Sequence, residues 1–171
     1  THPPGRRRRR RTAAVAVDDR AGVFDPDSVS VTTEGDAVSG TVNQVVDGGI
    51  ADVLLVAARG SDGVALYAVD ATADGVERTP LATLDLTRSE ANVVFAKVPA
   101  ALIAGPDETA RVLDHAMQVG AALLAVEQVG AAQHLLDLSV EYAKSRLQFG
   151  RQIGSFQAVK HRLADLLVDV E

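Results

Sequence analysis

Arg146, Gln148, Phe149, Arg151, Gln152 and Gln157 crowd into one short stretch near the C-terminal end of the sequence. Arginine carries a planar fork of donors that suits clustered anionic oxygens, and glutamine amides can read the edge of a planar heterocycle or a ribose. An exposed Phe149 could stack on an aromatic ring. Together these side chains describe a polar, anionic ligand that also carries a flat ring. The same residues allow a second arrangement, in which Arg146 pairs with Glu141 or Asp165, Phe149 fills a local core and the glutamines are solvated. Other chemistries find less support. His115, His134 and His161 have no metal-ligand spacing, so no metal site is expected. Ser139, Ser145 and Ser155 lack a nucleophile-elbow context, and no carboxylate pair stands out as an acid–base couple.

The elements that must hold this stretch read as a helix hairpin. Gly150 can take the left-handed conformation that ends a helix, and Ser155, just ahead of an apolar-periodic run, suits the N-cap of the next. Upstream, Asp107 or Thr109 can cap a helix whose spacing, through Val112, Ala116, Val119, Leu123 and Val126, continues to Arg146. That is roughly three times the mean helix of ~11–12 residues. Small residues crowd its middle, and Gly120 and Gly130 suggest a neighbour packed too close for a side chain. The second helix, 156–171, repeats the periodicity with Val159, Leu163, Leu166, Leu167 and Val170. Both helices are apolar on more than one side, so a two-helix hairpin leaves the bundle incomplete. The chain is therefore expected to be a piece of a longer one, or to borrow helices from another chain.

Before the helices the pattern is β-like. Val- and Thr-rich runs fall at 12–17, 28–34, 37–46, 51–59, 64–70, 76–85 and 91–98, punctuated by Gly35-Asp36, Asp47-Gly48-Gly49, Asp62-Gly63 and Asp74-Gly75. Short, even spacing without intervening helices predicts an antiparallel sandwich or barrel. The expected class is α+β: residues 1–11 a disordered Arg-rich leader, 12–106 a β domain, and 107–171 the helix hairpin that begins a helical domain.

Net charge is −6, yet Arg6 to Arg11 supply six of the 17 basic residues, and without them 11 face 23 acidic ones, or −12. An acidic body with one isolated basic run excludes a nucleic-acid-binding face, and the run reads as a solvated leader. There is no cysteine, which removes disulfides, thiolate-ligated metals and thiol catalysis. No uninterrupted apolar run is long enough to span a bilayer, so no membrane partner is expected and the cytoplasm is the expected compartment.

The stretch YAKSRLQFGRQIGSFQAVKHRLAD, 142–165, resembles the start of the C-terminal helical domain of the acyl-CoA dehydrogenases, with its recurrent R-x-x-F-G-x-x-I-x-x-x-Q-x-x-x-x-x-L-A-D signature. Upstream, SGTVNQVVDGGIADVLLVAAR keeps the spacing of that family's middle-domain N-G-x-K-x-W-I-T-N-G-x-x-A-D segment and the strand after it. The resemblance covers about 12–171, the middle β domain and the first helices of the C-terminal domain, in an actinobacterial-type member. It implies a flavoprotein of lipid catabolism that removes the α and β hydrogens of an acyl-CoA thioester, with FAD as hydride acceptor and an electron-transferring flavoprotein downstream. It also implies that Arg146 contacts the FAD diphosphate across a subunit interface, that Gln148, Phe149 and Gln157 surround the adenosine, and that subunits assemble as a homo- or heterotetramer.

Several positions depart from the pattern. The family's flavin-flanking Trp and Thr correspond to Gln44 and Val46, which removes ring stacking and a hydroxyl. The T-E-P-x-x-G-S-D element has only Ala16-Val17-Asp18-Asp19 near its place. Where some members carry a catalytic glutamate, counting back from Phe149-Gly150 reaches Gly120, beside Ala121, so the catalytic residue is unknown and this chain alone is expected to be inactive. Alternatives are a non-catalytic subunit lending Arg146 to a partner's FAD, and a ligand-free assembly module.

Overall fold

The computed structural model describes residues 11–17, 19–20 and 23–171. The expected disorder of 1–10 lies outside the described residues. Arg11, expected to belong to that leader, is held: its guanidinium pairs with Asp70 at 2.8 Å and donates to the Asp52 carbonyl.

Strands β1 (Ala13–Ala16), β4 (Thr32–Glu34), β5 (Ala37–Val46), β6 (Val53–Gly60), β7 (Gly63–Asp70), β8 (Val76–Pro80), β9 (Glu90–Pro99) and β10 (Ala101–Ala104) form one mixed sheet, while β2 (Asp19–Arg20) and β3 (Val23–Phe24) pair separately. The order is β10-β7-β6-β4-β5-β9-β8, an open path, with β1 added on β6. Helix α1 (Pro106–Ser145), the short strands β11 (Leu147–Gln148) and β12 (Arg151–Gln152), and α2 (Gln157–Val170) complete the α+β chain.

Most pairings are antiparallel, as expected, but β1 runs parallel to β6, and β4 meets β6 through a parallel bridge at Thr32–Arg59. A parallel partner needs a long connection, and the residues between β1 and β6 provide it. Alternating inward residues of β1, β5, β6, β7 and β9 meet in one core: Ala14, Ala16, Val38, Val42, Leu54, Val56, Val69, Val93 and Phe95. A second cluster joins Phe24, Ala57, Leu66 and Ala104 to Leu113 in the first turns of α1.

The helix starts differ from expectation. Asp107 and Thr109 lie inside α1, and the buried Thr109 hydroxyl sits 2.9 Å from the Gly105 carbonyl and 3.1 Å from that of Ala104. A hydroxyl in the first turn can turn back to a preceding carbonyl instead of capping.

The chain divides into two compact units, one ending at Met117 and one covering Gln118–Glu171. In the second, the middle of α1 is exposed, and a side chain added at Gly120 or Gly130 would meet nothing within 4 Å. Among the described residues, the close neighbour expected at these glycines is therefore absent. Helix α1 is also long and apolar enough, by length and composition, to cross a membrane. It has no long uninterrupted apolar run, but charges are sparse through its Ala-, Leu- and Val-rich middle.

Candidate functional site

Two places gather the residues singled out above, one in each unit. In the helical unit, α1 closes at Ser145, beyond a Lys144–Glu141 ion pair of 2.8 Å. Strands β11 and β12 then pair Leu147 with Gln152 and Gln148 with Arg151. Phe149 (φ 54°) and Gly150 (φ 76°) are the two linking residues. Positive φ at both central positions is the two-residue hairpin turn whose twist matches that of its strands. Gly150 thus has the left-handed conformation anticipated, but it makes a β-turn and does not end the helix. The Ile153 amide donates to the Arg146 carbonyl at 2.9 Å and closes the hairpin at its base.

A single 3-10 turn, Ile153–Ser155, leads into α2. Ser155 does not cap that helix; its hydroxyl donates to the Gln152 carbonyl at 2.7 Å, and Phe156 occupies the N-cap position without a side-chain bond. The turn lies hard against α1, since a Cβ on Gly154 would fall 2.9 Å from the Ala143 carbonyl oxygen. Beyond it, Leu163 and Leu167 line a groove of about 300 Å³ with Leu136 and Val140.

This framework presents the candidate residues outward. Arg146, Gln148 and Gln157 are exposed, and Phe149 is 91% exposed. Phe149 therefore fills no core; it meets Phe156 edge-on, with centroids 6.2 Å apart and planes at 89°. Arg151 lies over the other aromatic, its guanidinium carbon 4.0 Å from the Phe156 centroid. Of the two carboxylates considered for Arg146, Glu141 is engaged by Lys144 and Asp165 makes no ion pair with that arginine. Among the described residues Arg146 makes no ion pair; the hairpin thus carries an unpaired Arg146 at its base and, at its turn, an exposed Phe149 against a half-buried Phe156 under Arg151. The residue-type reading missed Phe156, although Phe-Gln at the start of an apolar-periodic run was its available signal.

In the β unit, Ala13, Ala14, Val15, Val17, Asn43, Gln44, Val45, Val46, Asp47 and Met117 line a cavity of about 500 Å³. The fold thus brings together the β1 edge and the end of β5, two segments far apart in sequence; Asp18, between β1 and β2, lies outside the described residues. The turn after β5 is pinned at several points. The Asp47 amide donates to Ser89 O at 2.7 Å, the Ser89 hydroxyl donates to the Asp47 carboxylate at 2.9 Å, and the Arg78 guanidinium reaches the Gly49 and Ala51 carbonyls at 3.2 Å. Among the described residues no cluster of three or more His, Cys, Asp or Glu side chains could hold a metal ion.

Comparison with known proteins adds to this geometry. The family model described as acyl-CoA dehydrogenase, C-terminal domain, matches residues 110–171. The acyl-CoA dehydrogenase IpdE2 of Mycobacterium tuberculosis is 40% identical over 151 residues, covering 85% of this chain and 42% of that relative. The chain thus spans less than half the length of this curated relative. Among solved structures, the Tcur3481-Tcur3483 steroid acyl-CoA dehydrogenase variant is similar with a TM-score of 0.72 and 34% identity, over 94% of this chain and 44% of that one. An FAD-dependent dehydrogenase is similar with a TM-score of 0.79 and 28% identity, over 92% and 46%.

Proposed function

The chain belongs to the acyl-CoA dehydrogenase family, and from that premise we propose that it forms part of an FAD-dependent enzyme that removes the α and β hydrogens of an acyl-CoA thioester. The observation that carries this reading is the hairpin 146–157, which presents an exposed Arg146 and an exposed Phe149 packed edge-on against a half-buried Phe156 under Arg151, inside the stretch matched by the family's C-terminal domain model.

The residues present fit the adenosine diphosphate half of FAD. Arg146 is free of carboxylate partners among the described residues, which leaves its donors for a diphosphate, the ligand its planar fork suits. Phe149 offers a flat apolar contact, and Gln148 and Gln157 offer amide hydrogen bonds to adenine or ribose. Bound FAD supplies the hydride acceptor for the β hydrogen. The chain's own residues bind and orient it: the hairpin turn fixes Phe149 relative to Gln148 and Arg151, and Gly154 keeps the hairpin seated on α1. No carboxylate here is assigned as the base that takes the α proton, since Gly120 stands where some members carry the catalytic glutamate and Ala121 where many carry an arginine.

Two further parts of the reading follow the resemblance. The outward presentation of the hairpin suits service to the FAD of a neighbouring subunit in a tetramer, with an electron-transferring flavoprotein as electron acceptor. The reading places the enzyme in the cytoplasm, and the long apolar α1 then serves as a bundle helix. The steroid acyl-CoA dehydrogenase among the similar structures makes a steroid-side-chain thioester the first substrate to test.

The test is flavin retention. In the protein assembled with its partner subunits, Arg146→Ala is expected to weaken FAD binding by about tenfold, the scale of one charge-assisted hydrogen bond. Absorbance at the flavin bands after gel filtration measures it. Unchanged retention overturns the role of Arg146, and a wild-type assembly that never holds flavin overturns the reading as a whole.

A further inference from the structure

The β unit is punctuated by the pairs Asp47-Gly48, Asp62-Gly63 and Asp74-Gly75. Such pairs suit turns, because both residue types tolerate unusual backbone angles. They also carry a chemistry of their own. The amide nitrogen of a glycine, unhindered by any side chain, can reach the carboxyl carbon of the aspartate before it and close a five-membered imide. Whether it does depends on the fold, since the amide must be free of an acceptor and the carboxyl free to swing onto it.

Asp47 and Gly48 are held. The Asp47 carboxylate accepts the Ser89 hydroxyl at 2.9 Å, and the Gly48 amide donates to the Val45 carbonyl at 3.1 Å. Gly48 is buried, and a Cβ there would fall 2.8 Å from that of Val45. The Asp62 carboxylate accepts the Ser61 hydroxyl at 3.0 Å, and Gly63 is already the first residue of β7, paired with Gly60 across the hairpin. Asp74 and Gly75 differ on each count. Both are exposed. The Val76 amide donates to the Ala73 carbonyl at 3.2 Å, which puts Asp74 and Gly75 at the centre of a β-turn, and Gly75 has φ of 89°, the glycine angle of a type II turn. Among the described residues the Asp74 carboxylate makes no hydrogen bond or ion pair, and the Gly75 amide donates to no acceptor.

We propose that the turn at Asp74 and Gly75 is a site of spontaneous backbone isomerisation in the folded protein, converting Asp74 to isoaspartate while Asp47 and Asp62 are protected. The Gly75 nitrogen loses its proton to solvent and attacks Asp74 Cγ. The new C–N bond forms as a C–O bond of the protonated carboxyl breaks, and one water leaves. Water then reopens the ring. Opening at the main-chain carbonyl leaves the chain running through Cγ, so the product has the mass of aspartate with one more methylene in the backbone, and no oxidant or reductant takes part. The turn has no slack to absorb that methylene: a Cβ on Gly75 would fall 2.7 Å from the Ala96 carbonyl oxygen, and the Gly75 carbonyl accepts the Ala96 amide at 2.9 Å. This bond seats the edge strand β8 on β9 just before Val76 pairs with Phe95, so isomerisation is expected to loosen that edge.

The experiment ages the protein, assembled with its partner subunits, at neutral pH beside a denatured sample of the same chain. After digestion, electron-transfer fragmentation locates the extra methylene; the tryptic peptide 60–78 carries both Asp62 and Asp74, so the two are compared within one molecule. Native protein is expected to accumulate isoaspartate at 74 and not at 47 or 62, whereas the denatured chain forms it at all of them. Asp74→Glu, which would have to close a larger ring, is expected to abolish the native signal and to keep the fold, because the side chain is exposed. Amide exchange at Ala96 is expected to quicken with age in the wild type and to stay constant in Asp74→Glu. Native protein with as much isoaspartate at 47 or 62 as at 74 overturns the protection assigned to the hydrogen bonds there. Native protein with none at 74, where the denatured chain has it, overturns the site. Isoaspartate at 74 with unchanged exchange at Ala96 overturns the loosening of β8. The readouts are independent of flavin, so they stand or fall apart from the reading under Proposed function.

Discussion

Phe149 occupies a conformation that its side chain disfavours. A bulky residue at φ 54° is uncommon and carries a cost of order 1–3 kcal/mol. Asparagine-glycine is the preferred pair for this turn, because asparagine tolerates the left-handed region. Phe149→Asn is therefore expected to raise the stability of the helical unit by about 0.5–1 kcal/mol, since the ring it removes is 91% exposed and buries little. The same substitution is expected to lower FAD retention in the assembled protein. Denaturant titration and flavin absorbance measure the two effects, and a variant that is destabilised and still holds flavin would show that the aromatic is kept for packing against Phe156. The residue types of this site were legible in the sequence; the turn was not. A glycine at positive φ ends helices and closes hairpins alike, and only the pairing of Gln148 with Arg151, set by tertiary context, separates the two.

At the scale of elements, the strands were legible because alternation and turn residues are local, while their partners were not. The parallel join of β1 to β6 depends on a long connection, which no local pattern records. A bulge in β5, where Asn43 and Gln44 together oppose Asn92, did leave a trace: Val38, Gly40 and Val42 step by two, and the next inward residue is Val45, a step of three. The β1 edge is also fixed by charge. Arg11 pairs with Asp70 at the end of β7, and Thr12 donates to the Asp52 carboxylate from both its amide and its hydroxyl, at 2.9 and 3.1 Å. The Thr72 hydroxyl and amide, with Arg11 adding its charge, hold the Asp70 carboxyl below its ordinary 3.8. A carboxylate whose folded value is depressed contributes stability that is fully present above the unfolded value and is lost as pH falls through the folded one. Acid below 3.8 is therefore expected to loosen the edge strand before the core, read as faster amide exchange at Asp52 and Val53, whose amides donate to the Thr12 carbonyl. Asp70→Asn should make that exchange nearly independent of pH over the same window, after correction for intrinsic rates. Retention of the full acid effect in the variant would remove Asp70 from the clamp.

At the scale of the whole molecule, the two units differ in how completely they bury their apolar residues. The β unit closes around its own core. The helical unit leaves Leu123, Val126, Val129, Leu135 and Leu138 each more than half exposed along α1, and buries only Leu136 and Ala143 among its large and small apolar side chains. Exposed apolar surface of this extent marks an interaction face. The relatives are more than twice as long as the matched stretch, which leaves ample chain to cover such a face in a complete bundle. The 171-residue stretch on its own is then expected to bind an apolar dye and to self-associate at micromolar concentration. Leu123→Glu together with Val126→Glu should reduce both by more than half, while changing stability by only about 0.5 kcal/mol per site, because both side chains are largely exposed in this stretch. Dye fluorescence and light scattering make the comparison. A stretch that stays monomeric and dark to the dye would mean that α1 folds back on itself in solution, and a large fall in stability for the double variant would mean that these leucine and valine positions are already covered.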